Sequence, residues 1–147
     1  MSKLTPYLAF DGNCTEAMRF YEKALGGKIE MMMTYAQSPM AEQTPAEHRN
    51  RVMHSALSLP QGGQLYAADK PPAMPGREGA SGASGFTGIG LTLDYDDVAS
   101  GIAVFKALSE GGTVTMPIAP SFWVEQFGML TDRYGIGWMV NAGPMKM

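Results

Sequence analysis

The feature that most constrains the fold is an internal repeat. A β-prone run at residues 4–10 precedes a helix whose apolar residues recur three and four positions apart and which ends at Gly26-Gly27. A second strand at 89–94 precedes a second helix of this kind, which ends at Gly111-Gly112. Positions 85 apart match through this part of both halves. Each half is therefore predicted to fold as a β-α-β-β-β module.

The strands that close each module match at a shorter offset. A spacing of 72 aligns four pairs of residues, namely Leu57 with Met129, Gly63 with Gly135, Tyr66 with Trp138, and Ala68 with Val140. The reduction from 85 fits a polar excursion at 36–50 that is longer in the first half. By this alignment Tyr66 and Trp138 are equivalent, and both are expected to pack beneath the helices.

The chain has 147 residues, enough for a core that needs neither disulfides nor a structural metal. Residues 1–147 are predicted to form one α+β domain of two tandem modules, at 1–70 and 89–147, joined by a Pro/Gly/Ser-rich linker loop at 71–88. Each module would carry its helix on one face of a curved mixed sheet. The two open faces are expected to enclose a cleft, which is the expected ligand site.

Composition excludes several classes of protein. A formal net charge of -3 and the lack of a basic run argue against nucleic-acid binding. No stretch of 18 apolar residues and no secretory signal is found, and a single cysteine cannot form an intramolecular disulfide. These features predict a cytoplasmic protein with no membrane or nucleic-acid partner.

The start of the first helix raises two expectations. Asn13, with Glu16 three residues on, is predicted to cap the helix through its side chain. Cys14 follows directly, and the field of the helix would lower the pKa of its thiol. No histidine is placed beside it by the sequence, so a nucleophilic role has little support.

Four stretches of the chain resemble one known family. They are Pro6–Tyr21 (PYLAFDGNCTEAMRFY), Ala24–Gly27 (ALGG), Val52–Leu57 (VMHSAL) and Phe122–Gly135 (FWVEQFGMLTDRYG). These motifs resemble the PhnB-like branch of the vicinal oxygen chelate superfamily, which contains glyoxalase I, bleomycin-resistance proteins and extradiol dioxygenases. The resemblance implies paired β-α-β-β-β modules and a homodimer, often with modules paired across subunits. It does not imply one activity, because both metalloenzymes and metal-free binding proteins occur in the superfamily.

The resemblance also says where a metal would bind. In the metalloenzymes of the superfamily, the ligands come from inward positions on the first and last strands of each module. Those positions fall here near Thr5 or Pro6, near Ala67, at about Gly88 and at about Met139. None of these residues is His, Asp or Glu, the ligands that such ions prefer. No metal or other cofactor is therefore expected, and Met139 is predicted to give the cleft a softer, less polar ligand contact.

Two residues are candidates for acid–base chemistry. His54 alternates with an apolar face that contains Met53 and Leu57, so it should point to the cleft as a general base or ligand contact; the competing interpretation is a hydrogen-bonded structural histidine. Glu125 lies in an otherwise apolar strand. It either lines the cleft or pairs with Arg51 or Arg133. At the offset of 72 Glu125 matches Met53, so either a bulge shifts the register or Glu125 does not share the cleft with His54.

Aromatic residues complete the predicted ligand site. Tyr7 and Trp123 are candidates for stacking on a flat ligand, together with His54 and Met139. The leading functional prediction is a PhnB-like protein that binds a small, partly apolar molecule in the cleft without the usual metal. Two alternatives stay open: a lyase- or dioxygenase-type metalloenzyme with atypical ligands, and a drug-sequestering resistance protein that attracts cations.

Overall fold

The computed structural model describes residues 4–39, 41–60, 62–70 and 89–146. It contains two four-stranded mixed sheets and two α-helices, and this α+β architecture confirms the predicted fold class. The first module comprises β1 (Tyr7–Phe10), α1 (Cys14–Leu25), β2 (Lys28–Thr34), β3 (Val52–Ser58) and β4 (Gln64–Asp69). The second comprises β5 (Leu91–Tyr95), α2 (Val98–Ser109), β6 (Thr113–Ala119), β7 (Val124–Thr131) and β8 (Gly137–Met145).

The chain divides into two compact units, residues 1–83 and 84–147, and each has the same topology. The strand orders are β1-β4-β3-β2 and β5-β8-β7-β6. In each unit the first strand runs parallel to the last, and the other neighbours are antiparallel. The predicted linker at 71–88 lies outside the described residues.

The polar excursion of the first module contains three short 3₁₀ turns, at Tyr35–Gln37, Ala41–Gln43 and Ala46–His48. It separates β2 from β3, whereas only four residues, 120–123, separate β6 from β7. The excursion therefore accounts for the change of offset between the two parts of the repeat.

One face of each sheet packs against its helix and forms the core of its unit. In the first unit, the Sγ atom of Cys14 on α1 lies 3.8 Å from Oγ of Ser55 on β3. The row of paired residues through Ser55 contains Ala67 and Leu8, and all three are buried. In the second unit, the equivalent row contains Gly128 and Val140, which are buried, and Leu93, which is partly buried. A Cβ built at Gly128 would lie 2.6 Å from Cε2 of Phe105 on α2.

Strand pairing corrects the predicted offset for the closing strands. Met31 pairs with Ala56 in the first module, and Met116 pairs with Met129 in the second. The spacing is therefore 85 for β2 and β6, as predicted, but 73 rather than 72 for β3 and β7. The offset of 73 also aligns Gly62 with Gly135, which both have positive φ, at 97° and 89°.

The one-residue correction exchanges the faces of the sheet, because successive side chains of a strand point to opposite sides. Trp138 is 2% exposed and packs on the α2 side, as predicted. Tyr66 does not pack beneath α1: it pairs with Tyr7 and Ala56 in the row that faces away from the helix. Its true equivalent is Met139, and the equivalent of Trp138 is Leu65, which is buried.

The start of α1 also differs from the prediction. Asn13 precedes the helix but its side chain forms no capping hydrogen bond. The carboxylate of Asp69, at the end of β4, supplies the acceptors instead: its Oδ1 accepts from the amides of Gly12 and Cys14 at 2.8 and 2.9 Å, and its Oδ2 from the amide of Val52 at 2.9 Å. Asp69 is 2% exposed, so it fixes the helix start from within the core.

Over the ranges described above, the structure contains no helix that is both long and apolar enough to cross a membrane.

Candidate functional site

The face of the first sheet that points away from α1 carries an aromatic cluster, here called the first open face. It is built from Tyr7 on β1, Tyr66 on β4 and His54 on β3. The ring centroid of His54 lies 5.1 Å from that of Tyr66 and 5.8 Å from that of Tyr7, and the two tyrosine rings meet edge to face at 6.2 Å. Strand parity correctly predicted that His54 would face away from the helix.

A polar contact joins two members of this cluster. The hydroxyl of Tyr7 lies 3.3 Å from Nδ1 of His54, and the tautomer of the imidazole decides which of them donates. Partial burial, followed by the nearby acidic groups of Cys14 and Tyr35, raises the pKa of the Tyr7 phenol above its ordinary value of 10.0. The phenol therefore keeps its proton at neutral pH and is available as a donor.

Thioethers border the cluster on β2. Met33 is paired with His54, and Met31 with Ala56, so both belong to the first open face. Met31 and Tyr7 are 39% and 55% exposed. The first open face therefore combines aromatic and polarizable apolar surface with one imidazole and two phenols, a composition suited to a flat organic molecule.

The corresponding face of the second sheet, here called the second open face, is organised around a hydrogen-bonded chain. Asp94, Asn141 and Phe127 form one row of paired residues, which alternates with the buried row against α2. The amide nitrogen Nδ2 of Asn141 donates to Oδ1 of Asp94 at 2.8 Å. The indole N–H of Trp123 donates to Oδ1 of Asn141 at 3.2 Å.

Aromatic and thioether side chains accompany this chain of hydrogen bonds. The Trp123 ring lies edge to face with Phe122 and Phe127, at centroid distances of 4.9 and 4.8 Å. Met139 is paired with Thr92 and Met129 in the next row of the same face. Trp123 and Met139, both predicted ligand contacts, thus belong to one face of one module.

Glu125 lies elsewhere. The pairing of β7 with β8 shifts register between Val124 and Gln126, and the exposed side chain of Glu125 lies beside Gly143 and the first residue of α2. A Cβ built at Gly143 would be 2.9 Å from Cβ of Glu125 and 2.7 Å from Cγ2 of Val98. Glu125 is therefore at the helix side of its sheet, and the bulge that the sequence offered as one explanation is present.

The two arginines suggested as partners of Glu125 have other contacts. Arg51 forms an ion pair with Asp11, with 2.9 Å between Nη1 and Oδ1. Arg133 donates from Nε and Nη2 to the carbonyl oxygen of Glu110 at 3.1 and 3.0 Å. Neither contact involves Glu125.

Each predicted site residue can thus be assigned to a face of its own sheet. Tyr7 and His54 are in contact on the first open face, Trp123 and Met139 share the second, and Glu125 is on neither. Sequence reasoning missed Asp94 and Asn141. A signal for them existed, because Asn141 interrupts the apolar strand β8 and Asp94 alternates with Leu93 and Tyr95 in β5.

The donor set on the open faces does not suit the metal of the related metalloenzymes. On the first and last strands, the paired open-face positions hold Tyr7 with Tyr66 and Ala9 with Ala68 in the first module, and Thr92 with Met139 and Asp94 with Asn141 in the second, whereas Ala67 faces α1. Asp94 is a single carboxylate among these residues, and phenol, hydroxyl, amide and thioether groups do not replace the further imidazole and carboxylate ligands that such an ion needs. Within the described part of the chain, no three His, Cys, Asp or Glu side chains group closely enough to hold a metal ion.

Cys14 is not activated by its helix. Its side chain is fully buried, and burial raises the pKa of the thiol to about 12, although a hydrogen bond with Ser55 opposes the shift. The expectation of a lowered pKa is wrong, because the loss of hydration on burial outweighs the electrostatic field at the start of the helix.

Comparisons with known proteins agree with this architecture. The chain is 31% identical to Protein YjdN of Escherichia coli (strain K12), over 95% of this chain and 94% of that protein. It is 38% identical to protein PA1353 from Pseudomonas aeruginosa, whose crystal structure covers 97% of this chain and 98% of its own with a TM-score of 0.80.

Two more distant structures share the fold. The PhnB protein from Bacillus cereus is 23% identical, with a TM-score of 0.73 over 97% of this chain and 100% of its own. A glyoxylase/bleomycin resistance protein/dioxygenase domain from Frankia sp. EAN1pec is 13% identical, with a TM-score of 0.64 over 98% of this chain and 97% of its own. Residues 2–141 match the model of the family described as 3-demethylubiquinone-9 3-methyltransferase. The chain therefore belongs to this PhnB-like family, within the glyoxalase/bleomycin-resistance/dioxygenase fold.

Proposed function

We propose that the protein binds a small, partly apolar molecule on the open faces of its sheets, without a resident metal ion. The observation that carries the proposal is the position of His54, in contact with two tyrosine rings on the first open face. A core histidine would be enclosed by its helix, whereas this one faces away from α1 and is only partly covered.

The chemistry of the first open face suits recognition by stacking and a few hydrogen bonds. Tyr7 and Tyr66 offer ring surface, and Met31 and Met33 adapt to the outline of a ligand. The Tyr7 hydroxyl and the His54 ring supply donors and acceptors in fixed positions, because each is held by the other. Binding sites of this kind are mostly apolar with a small number of directed polar groups.

A titration with 2-naphthol, a flat neutral probe with one hydroxyl, tests this function. The chain has two histidines, so the ring protons of His54 report on the first open face while those of His48 serve as an internal control. We expect 2-naphthol to shift the His54 ring protons and leave those of His48 in place. His54→Ala should weaken binding about fivefold or more, and His48→Ala should not. Unchanged His54 resonances, or equal affinity in both variants, would contradict the proposal.

The absence of a resident metal is tested separately. Protein purified without chelator should contain divalent metal well below one ion per chain, and EDTA should leave 2-naphthol binding unchanged. One equivalent of a divalent ion with His54 as a ligand would instead support the metalloenzyme alternative.

We also propose that the protein is a cytoplasmic homodimer whose modules pair across subunits, as the family resemblance implies. Sedimentation at micromolar concentration should give twice the chain mass of 15.8 kDa. A species of the chain mass would contradict the dimer without affecting the proposed binding.

A further inference from the structure

The second open face holds a carboxylate in a fixed orientation beside an aromatic ring. Asn141 binds Asp94 with its amide nitrogen and Trp123 with its amide oxygen. This orientation of the amide is chemically determined, because an indole N–H only donates and a carboxylate only accepts. The three side chains therefore position one another, and Asn141 is the link between the charge and the ring.

The carboxylate keeps acceptor capacity for a further group. Its Oδ1 accepts from Asn141, and between residues of the described ranges the structure records neither a hydrogen bond to its Oδ2 nor an ion pair of Asp94. Asp94 is exposed. The ammonium of Lys146, on the chain segment next to Trp123, is engaged by the carbonyl oxygen of Ser121 at 3.0 Å.

The ring beside the carboxylate is also held in place. The Trp123 N–H is bonded to Asn141, and Phe122 and Phe127 contact Trp123 with their rings at steep angles of 81° and 65°. A tryptophan held in this way offers a π surface at little cost in conformational entropy. Tryptophan is also the best aromatic side chain for attracting a cation to its ring face.

The geometry points to a subsite for a cationic nitrogen group on a flat apolar body, such as an amidinium or an aryl ammonium. Asp94 accepts its N–H groups, and the Trp123 ring attracts its charge and covers its apolar part. Phe127 and Met139 extend the apolar surface along the same face. This inference names the ligand class of the second open face, and it rests on the proposed function insofar as that face is open to small molecules.

Charge complementarity supports a cation over an anion or a neutral group. The chain carries 14 acidic against 11 basic side chains, so its long-range field attracts cations weakly. At close range, a planar amidinium can donate two N–H groups to one carboxylate. Both attractions act at an exposed site and are reduced by salt, so affinity should fall as ionic strength rises.

Benzamidine and benzamide form a matched pair of probes for this subsite, since they share shape and differ in charge. The chain has two tryptophans, so the indole N–H resonance of Trp123 reports binding while that of Trp138, buried and bonded to Asp132, is the internal control. We expect benzamidine to shift the Trp123 resonance alone and to bind about fivefold more tightly than benzamide. Asp94→Asn should abolish this preference.

Asp96→Asn is the control variant. Asp96 lies two residues from Asp94 and is also exposed, so this substitution removes an equal charge from a neighbouring position. It should keep the preference for benzamidine, and the circular dichroism of both variants should match that of the parent. If Asp94→Asn binds benzamidine as well as Asp96→Asn does, the inference is wrong. If both probes shift Trp123 with equal affinity, the cation subsite is wrong but the face still binds small molecules. If neither probe shifts Trp123, the inference fails on its own, because 2-naphthol tests the first open face separately.

Discussion

Equivalent positions on the two open faces carry different chemistry. At offsets of 85 and 73, one row reads Tyr7, Tyr66, Ala56 in the first module and Thr92, Met139, Met129 in the second. The neighbouring row reads Ala9, Ala68, His54 in the first module and Asp94, Asn141, Phe127 in the second. The charged and amide groups of the second module thus stand where the first has methyl groups.

The faces against the helices differ much less. Leu8, Ala67 and Ser55 correspond to Leu93, Val140 and Gly128, and Leu57 corresponds to Leu130. Each of these positions has limited space beneath a helix, so a change of volume or polarity costs stability. The helix-side rows therefore maintain the shared backbone, whereas the open rows differ in their side chains, which is where we propose that recognition takes place.

The largest expected effect tests a helix-side position where the first module has a carboxylate and the second has a methyl group. Asp69 corresponds to Ala142, and its carboxylate binds three backbone amides in the core. Asp69→Ala should lower the free energy of unfolding by about 3 kcal/mol or more, because it leaves those amides without an acceptor. Urea unfolding followed by circular dichroism measures the loss.

Asp11→Asn serves as its control, since Asp11 is an exposed partner of Arg51 near the same helix start. Its cost should be no more than about 1 kcal/mol. Equal unfolding midpoints for the two variants would show that Asp69 does not anchor the first module.

A smaller effect is expected at the helix–sheet contact of the second module. Gly101 is the fourth residue of α2, as Ala17 is of α1. A Cβ built at Gly101 would overlap Cβ of Ala142 and lie 3.2 Å from its Cα. Gly101→Ala should therefore destabilise the protein by about 1–2 kcal/mol, although alanine is the better helix former. Adding Ala142→Gly should restore part of the loss. A stabilising Gly101→Ala would mean that α2 shifts on its sheet without cost.

The smallest effect concerns the starts of the two helices. The Asp97 side chain accepts from the amide of Ser100 at 2.9 Å, whereas Asn13 makes no capping bond. Asp97→Ala should lower the melting temperature by a few degrees, and Asn13→Ala should leave it nearly unchanged. Equal effects would remove this distinction between the modules.

The Asp97 cap also has a defined pH dependence. The side-chain hydrogen bond from Ser100, then that from its amide, lowers the pKa of Asp97 below its ordinary value of 3.8. Its contribution is therefore complete above pH 3.8 and is lost as the pH falls through the lowered pKa. The difference in melting temperature between Asp97→Ala and the parent should shrink on acidification below that value. A difference that grows would contradict the assignment.

Most of the fold could be predicted from the sequence because its signals are local. Apolar spacing and glycine doublets located both helices, and β4 was predicted at its observed bounds. The register of the closing strands could not be predicted, because Gly62 and Gly63 are adjacent and either can match Gly135. The choice of Gly63 shifted the alignment by one residue and so exchanged the two faces of the sheet. It wrongly placed Tyr66 beneath α1, and it matched Glu125 to Met53, whereas the equivalent of Glu125 is Val52.

The open faces were predictable only in part. Alternation in β3 identified the orientation of His54, since Leu57 marks the buried side of that strand. Tyr7 and His54, which are in contact, lie 47 positions apart in the sequence. Asn141 lies 47 positions from Asp94 and 18 from Trp123, the two residues that it links. Such contacts follow from the pairing of the first strand with the last, which no local pattern encodes.

The three hydrogen bonds that the Asp69 carboxylate accepts have a consequence for how the first module unfolds and refolds. Its carboxylate joins amides that are 57, 55 and 17 residues away along the chain. These three amides can gain protection from solvent exchange only after β4 has docked, so they belong to one cooperative unit. In native-state hydrogen exchange the amides of Gly12, Cys14 and Val52 should therefore report the same opening free energy. Any one of the three would then measure the stability of the whole first module.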